Sequence, residues 1–338
     1  LAGNTGSDSS AASGSLTIDT TPPTVVMGAL YSSNAASTLA KNGDTVYLKF
    51  TPSDTYLAAT ATVSLHGTES TPAIANGTEA TASYAVTAGS ANGAVAYSVT
   101  VTDLAGNSSG AKTTGAAGSV TIDNTPPVAT AVPVKVTGPA GYINLADMTR
   151  AVTITATVSA SAAVGDVVEL LYEGSSFSPA LRHTIVAAGE TASFTVPAGS
   201  FTGVDGDKSI TTKVTDTVGN TPATSTALVV KKDTTPPVVV ISTIASDDAT
   251  YPLYANAGDT ITLTYTVTDI NLGTTDNVTV TIAETVQTDS AETGVAATSS
   301  RSVDASGELQ GPVTYSVLAT DLAGNTGSDS SAASGSLT

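Results

Sequence analysis

The chain of 338 residues carries 29 acidic against 11 basic side chains, a formal net charge of −18, with no cysteine, no tryptophan and 4% aromatic residues. Disulfides are thereby excluded, and binding to nucleic acid or an anionic membrane is disfavoured, since a polyanion is repelled by both and draws divalent cations instead. No apolar run approaches the ~20 residues that a membrane-spanning helix needs, so no membrane insertion is expected of this segment.

Three copies of Asp-x-Thr-Pro-Pro punctuate the chain, at Asp19 to Pro23, Asp123 to Pro127 and Asp233 to Pro237. An Asp-x-x-Gly-Asn turn stands at Asp103 to Asn107, at Asp216 to Asn220 and at Asp321 to Asn325, and Leu1-Ala2-Gly3-Asn4 reads as a fourth whose Asp is missing. Successive linkers lie 104 and 110 residues apart, about the ~100 residues of one immunoglobulin-like sandwich. Residues 1–17 (LAGNTGSDSSAASGSLT) are identical to residues 322–338, an offset of 321. Identity over that length points to duplication of a three-module block, so the natural chain is expected to be longer. The expected division is residues 1–18 as the last strand of a preceding repeat, then modules at 19–122, 123–232 and 233–338. A second reading makes residues 1–18 a strand donated to another copy.

Alternation of apolar and polar residues runs through every module, and helical periodicity is nearly absent. After the first linker, Val46, Leu48 and Phe50 share one face of a strand and Tyr47 and Lys49 the other. The matching strands place Val152, Ile154, Ala156 and Val158 together in the second module, and Ile261, Leu263, Tyr265 and Val267 in the third. Residues 81–86 match 191–196, and Tyr97-x-Val99-x-Val101 matches Tyr315-x-Val317-x-Ala319; Ile210-x-Thr212-x-Val214 is a poorer core strand. Asp166 to Tyr172 is predicted to be a strand by alignment with its counterparts. The Ser/Ala/Gly-rich stretches at 108–118 and 327–335 read as long loops before the last strand. Two prolines in each linker fix φ and remove two amide donors, so the junction stays extended. The fold class expected is all-β: tandem immunoglobulin-like β-sandwiches arranged as an elongated rod.

The linker motif, Gly43-Asp44-Thr45 and Gly258-Asp259-Thr260 before the second strand, and Val-Thr-Asp-x-x-Gly-Asn before the last strand together resemble the bacterial Ig-like tandem repeats of giant cell-surface adhesins. The resemblance covers essentially the whole chain, with a departure in the second module, where Asp147-Met148-Thr149 stands in place of Gly-Asp-Thr. It implies extender domains that hold a terminal binding domain away from the cell, export by type I secretion, and calcium at the joints. The lack of cysteine agrees with a bacterial or archaeal surface protein rather than a stapled eukaryotic ectodomain. Extracellular, cell-surface or secreted localisation is expected.

In such a sandwich the loops after the second and sixth strands lie at the end where the chain enters, and so meet the linker Asp. For the third module this gathers Asp233, Asp269, Asn271, Asp321 and Asn325, an oxygen-rich set that suits a hard cation of six to eight ligands, calcium above all. The first module offers Asp19, Asp54, Asp103 and Asn107. The second offers Asp123, Asp216 and Asn220, but its corresponding loop reads Ser159-Ala160-Ser161 and brings no carboxylate, so its joint is expected to bind most weakly. The plainer reading makes the same Asp and Asn turn-formers that bond nearby backbone amides. Asp205-Gly206-Asp207 reads as a turn rather than a ligand.

Catalysis finds no support, because His66 and His183 stand in different modules without evident partners and no phosphate loop or nucleophile elbow occurs. The expected function is a structural spacer in a long repetitive adhesin or fibre, stiffened by calcium and packed against neighbouring repeats of the same chain. The alternatives are a filament subunit that assembles with other copies by donor-strand exchange, and a glycan- or protein-binding module using Tyr31, Tyr56, Tyr251 or Tyr254.

Overall fold

The computed structural model describes residues 16–220, 222–275, 277–304 and 311–334. The turn at Leu1–Asn4 and all but the last three residues of the expected strand over 1–18 lie outside the described residues; Leu16 and Ile18 are exposed. Strands dominate, and the one helical element is a single 3-10 turn, Ala146–Met148. Two compact units emerge: one runs to Pro127 and takes in Asp216–Pro222, the other holds Val128–Thr215 and the chain from Ala223 onward. Three buried apolar clusters are distributed over them, one in the first unit and two in the second.

In the first unit, Thr24–Ser32, Thr45–Ser53 and Ala80–Ala85 pair antiparallel in one sheet, and Thr68–Ser70, Leu57–Leu65 and Tyr97–Asp103 in another. Period two decides what faces inward: Val46, Leu48 and Phe50 are fully buried and pack in one core with Val63, Val99 and Val101. The second unit repeats this plan twice. Val152–Thr157 lies between Val134–Lys135 and Thr191–Val196, while Val167–Tyr172 pairs Gly206–Thr215 as expected of a strand there. Further on, Thr260–Thr268 lies between Val238–Ser246 and Ala296–Ser302, and Val278–Ile282 pairs Tyr315–Thr320. Ile210 and Val214 are buried and Thr212 is fully buried beside them, its hydroxyl bonded to that of Thr130 at 2.5 Å, which explains how a polar residue is tolerated in that strand.

The small-residue stretches differ from expectation. Thr326–Asp329 pairs Tyr315–Thr320, and Ala332–Ser334 runs parallel to Val238–Ser246, so the described part of the expected loop at 327–335 is largely strand. Residues 108–118 make single bridges at Ser108, Lys112 and Ala117, the last with Ala29 on the opposite sheet. The close approach is confined to one residue of the stretch. At Gly118 a Cβ would stand 2.7 Å from the Leu30 carbonyl oxygen, and its φ of +95° is one that glycine alone adopts cheaply. Within this largely exposed stretch, Gly118 is thus the residue that packing requires.

Candidate metal centre at the linker turns

Each linker is first closed on itself. The Asp carboxylate accepts the backbone N–H of the Thr two residues on, at 2.9 Å from Thr21 to Asp19, 2.9 Å from Thr125 to Asp123 and 3.2 Å from Thr235 to Asp233. The two prolines that follow have no N–H to satisfy. From its Thr onward the segment therefore has no amide donor left for a sheet, whereas its Asp can still end one: the Asp123 N–H donates to Ala40 O at 2.9 Å and Asp233 closes the strand Leu228–Asp233.

The Asp-x-x-Gly-Asn turn latches onto that segment in the same way three times. Its Asn donates its backbone N–H to one oxygen of the turn Asp, at 2.8 Å in Asn107, Asn220 and Asn325 alike. The side-chain amide donates to the other oxygen at 2.8, 2.7 and 2.8 Å. The same nitrogen donates to the linker carbonyl of Asp19 at 3.1 Å, Asp123 at 3.0 Å and Asp233 at 3.0 Å. With the carboxylate a fixed acceptor, the amide has to present its nitrogen. These asparagines, expected as oxygen ligands, thus serve as braces, and Asn271 does likewise: its N–H donates to Asp269 at 2.6 Å and its amide to Asp233.

The latches gather unequal numbers of acids. Asp19, Asp54 and Asp103 each bring a carboxylate oxygen within 4.8 Å of the others, as do Asp233, Asp269 and Asp321. Asp19 and Asp54 are half-exposed, whereas all three members of the second group are buried. Burial first, then the facing charges of Asp233 and Asp321, raise Asp269 above the usual carboxylate range, against the opposing bond from the Asn271 N–H. Burial pulls Asp103 upward too, but the Asn107 side chain and the N–H groups of Asn107, Gly106 and Ala105 outweigh it and hold it low. At the linker of Asp123, the latch of Asp216 and Asn220 assembles no third carboxylate among the described residues.

Further contacts on the linkers leave no signal in the sequence, because they come from side chains about thirty residues away. Asn92 donates to Asp123 at 3.2 Å and to Thr125 Oγ1 at 2.7 Å, and accepts the Asn124 N–H at 2.8 Å. In the second unit Asp205 accepts from Lys232 Nζ at 2.8 Å, the Thr234 N–H at 2.8 Å and both the Thr234 and Thr235 hydroxyls. Burial alone would raise Asp205, but Lys232 and Thr234 bring it down to about 2. Asp44 and Asp259 close their own loops on Lys41 and Asn256, and Asp147 is fully buried between Lys135 at 2.9 Å and Arg150 at 2.8 Å.

No family model matches the sequence, and none of the curated proteins does. Among solved structures the chain is similar to a 1.5-MDa bacterial ice-binding adhesin, at 20% identity and a TM-score of 0.40 over 95% of this chain and 98% of that one. It is similar to a Ca2+-stabilised adhesin with which an Antarctic bacterium binds ice, at 23% identity and a TM-score of 0.47 over 95% and 74%. A tetra-tandem repeat from the extending region of a large adhesion protein follows at 18% identity and a TM-score of 0.25 over 92% and 74%.

Proposed function

We propose that this chain is a spacer segment of a long, repetitive cell-surface or secreted adhesin, and that its acidic joints take calcium. The observation that carries the reading is the threefold latch: an Asn of each turn bonds the turn Asp and the linker carbonyl with distances that agree to 0.1 Å. A turn that grips a proline-stiffened linker restricts hinging, which is what reach demands and what a reaction does not.

The donor set supports a hard cation. Asp233, Asp269 and Asp321 would hold it, with Asn271 and Asn325 keeping the carboxylates in place; Asp19, Asp54 and Asp103 form the corresponding set. Among the described residues no Lys or Arg pairs with Asp233, Asp269 or Asp321. Three carboxylates crowded without a countercharge repel one another, and oxygen-only donors at this density suit calcium. When bound, the cation supplies the positive charge that lets all three acids stay ionised together. Small-angle scattering with and without chelator tests both halves. The expected result is a longer, stiffer particle with calcium; a flexible ensemble that is the same in both conditions overturns the reading.

A further inference from the structure

In the second unit Lys135 and Asp147 form an ion pair shut away from water: their side chains are 2% and 0% exposed and stand 2.9 Å apart. Taking both charges out of water costs about what their attraction returns, so stability alone does not account for the pair. What it orders is one segment of backbone. The Lys135 ammonium donates to the carbonyls of Thr137 at 2.5 Å and Pro139 at 3.3 Å as well as to Asp147, which uses all three of its protons on residues 137–147. Arg150 holds the other oxygen of Asp147 through Nε at 3.2 Å and Nη2 at 2.8 Å. The backbone lies directly on this cluster, since a Cβ at Gly138 would stand 2.7 Å from Arg150 Nη2 and 3.0 Å from both Asp147 Oδ1 and Lys135 Nζ.

The same segment grips the 321–325 turn. The Asp147 N–H donates to Asn144 Oδ1 at 3.0 Å and the Asn144 N–H donates back to Asp147 Oδ2 at 3.4 Å, a reciprocal pair that leaves Asn144 Nδ2 for the turn. That nitrogen donates to Ala323 O at 2.8 Å, and the adjacent Leu145 N–H donates to Asn325 Oδ1 at 2.8 Å. The second bond decides which way the Asn325 amide lies. With its oxygen taken by Leu145, its nitrogen is the end presented to Asp321 at 2.8 Å and to the Asp233 carbonyl at 3.0 Å. A Cβ on Gly324 would stand only 3.3 Å from Pro139 Cγ, so the backbone of the turn lies against the segment. In the first unit the corresponding carboxylate, Asp44, accepts neutral donors instead, the Lys41 N–H and Asn34 Nδ2, each at 2.8 Å.

We propose that Lys135, Asp147 and Arg150 are positioning residues for the joint: a side-chain cation caged by oxygens shapes residues 139–145 into a seat that holds the 321–325 turn without metal. The inference rests on the spacer reading and adds to it how the acidic site stays assembled. Asp233, Asp269 and Asp321 repel one another when no countercharge stands beside them. Asn325, oriented from the seat, ties Asp321 to the Asp233 backbone against that repulsion.

Hydrogen exchange of the whole chain in excess chelator, resolved by peptide, tests the role. Lys135→Met with Asp147→Leu replaces the pair by apolar groups and leaves no charge buried alone, so the module is expected to keep its fold. Protection should fall about tenfold or more at 139–145 and 321–325, while the paired strands Val152–Thr157 and Thr191–Val196 keep theirs. Asn144→Ala, which leaves the cluster intact, should reproduce the loss at 321–325. Combining it with the pair replacement should add little there, since both act through one contact. Unchanged protection at 321–325, a loss spread evenly over the core strands, or additive losses overturns the positioning role. The calcium reading fails separately, because it is decided by the scattering response of the wild-type chain to calcium, whereas the exchange result is decided in chelator alone.

Discussion

The linker Asp123–Pro127 is held by neutral amides and the linker Asp233–Pro237 by charges. Around the first stand Asn92, Asn124 and Asn220, each donating to or accepting from the linker or its neighbours. Around the second stand Asp205 with Lys232, and the buried trio Asp233, Asp269 and Asp321 braced by Asn325. The backbone latch is common to both, so the geometry of the joint does not depend on which chemistry surrounds it. What differs is sensitivity: neutral amide donors bring no charge of their own against the carboxylates they hold, whereas a cluster of like charges responds to both protons and cations.

The sharpest way to break the comparison is at the shared part. Asn325→Ala strips the Leu145 N–H and the Asp233 carbonyl of their partners in a buried setting. Two bared backbone groups predict a loss of about 4 kcal/mol from the second unit, read by denaturant unfolding. Asn107→Ala, at the half-exposed copy, is expected to cost about 1 kcal/mol because water replaces what is removed. Equal costs would mean that the burial of the latch is irrelevant to its strength.

Calcium separates the linkers next. At about a hundredfold excess over its dissociation constant, a cation bound only by the folded form stabilises by roughly 3 kcal/mol. That gain is expected in the second unit and is expected to vanish in Asp269→Asn, which should itself stabilise the metal-free protein by removing one of three mutually repelling charges. Calorimetry of the metal-free protein and the variant checks both signs.

Much of this was legible before any coordinates. The strand faces of Val46, Leu48 and Phe50 follow from alternation alone, and the convergence of Asp233, Asp269 and Asp321 follows from where a sandwich puts its entry loops. What stayed hidden was of two kinds. Asp205 reaches Thr234 from 29 residues away, and only the fold brings them together. The asparagines are legible as sites but not as donors, because sequence names an amide and says nothing of which end faces the carboxylate. The small-residue stretch from 327 hides its strands for a third reason: a glycine required by close packing, as Gly327 is against the Pro237 carbonyl, looks the same in sequence as a glycine in a loop.

Acid sharpens the contrast at the charged linker by a smaller amount. Asp205 is lowered from 3.8 to about 2 in the folded protein, so its contribution is complete above the ordinary carboxylate value and is lost as pH falls from about 4 to about 2. Asp205 is exposed, so solvent screening cuts the size to about 1 kcal/mol. Asp205→Asn should flatten that acid limb of the stability profile while leaving the neutral-pH response to calcium in place. An unchanged acid limb in the variant would assign the lost stability to other carboxylates.

The smallest effect tests whether the amide linker can be turned into a charged one. Asn92 donates to both Asp123 and Thr125 Oγ1. Asn92→Asp removes those two donations and sets a carboxylate against Asp123, in an exposed place where water screens the repulsion, so the cost is expected to stay below about 1 kcal/mol. The direction of its salt response carries the argument: the wild-type linker, whose donors are neutral amides, is expected to change little with ionic strength, and the variant should regain stability as salt rises from low to physiological. If thermal melting shows the variant insensitive to salt, the missing amide bonds alone account for the loss, and local charge is not what divides the two linkers.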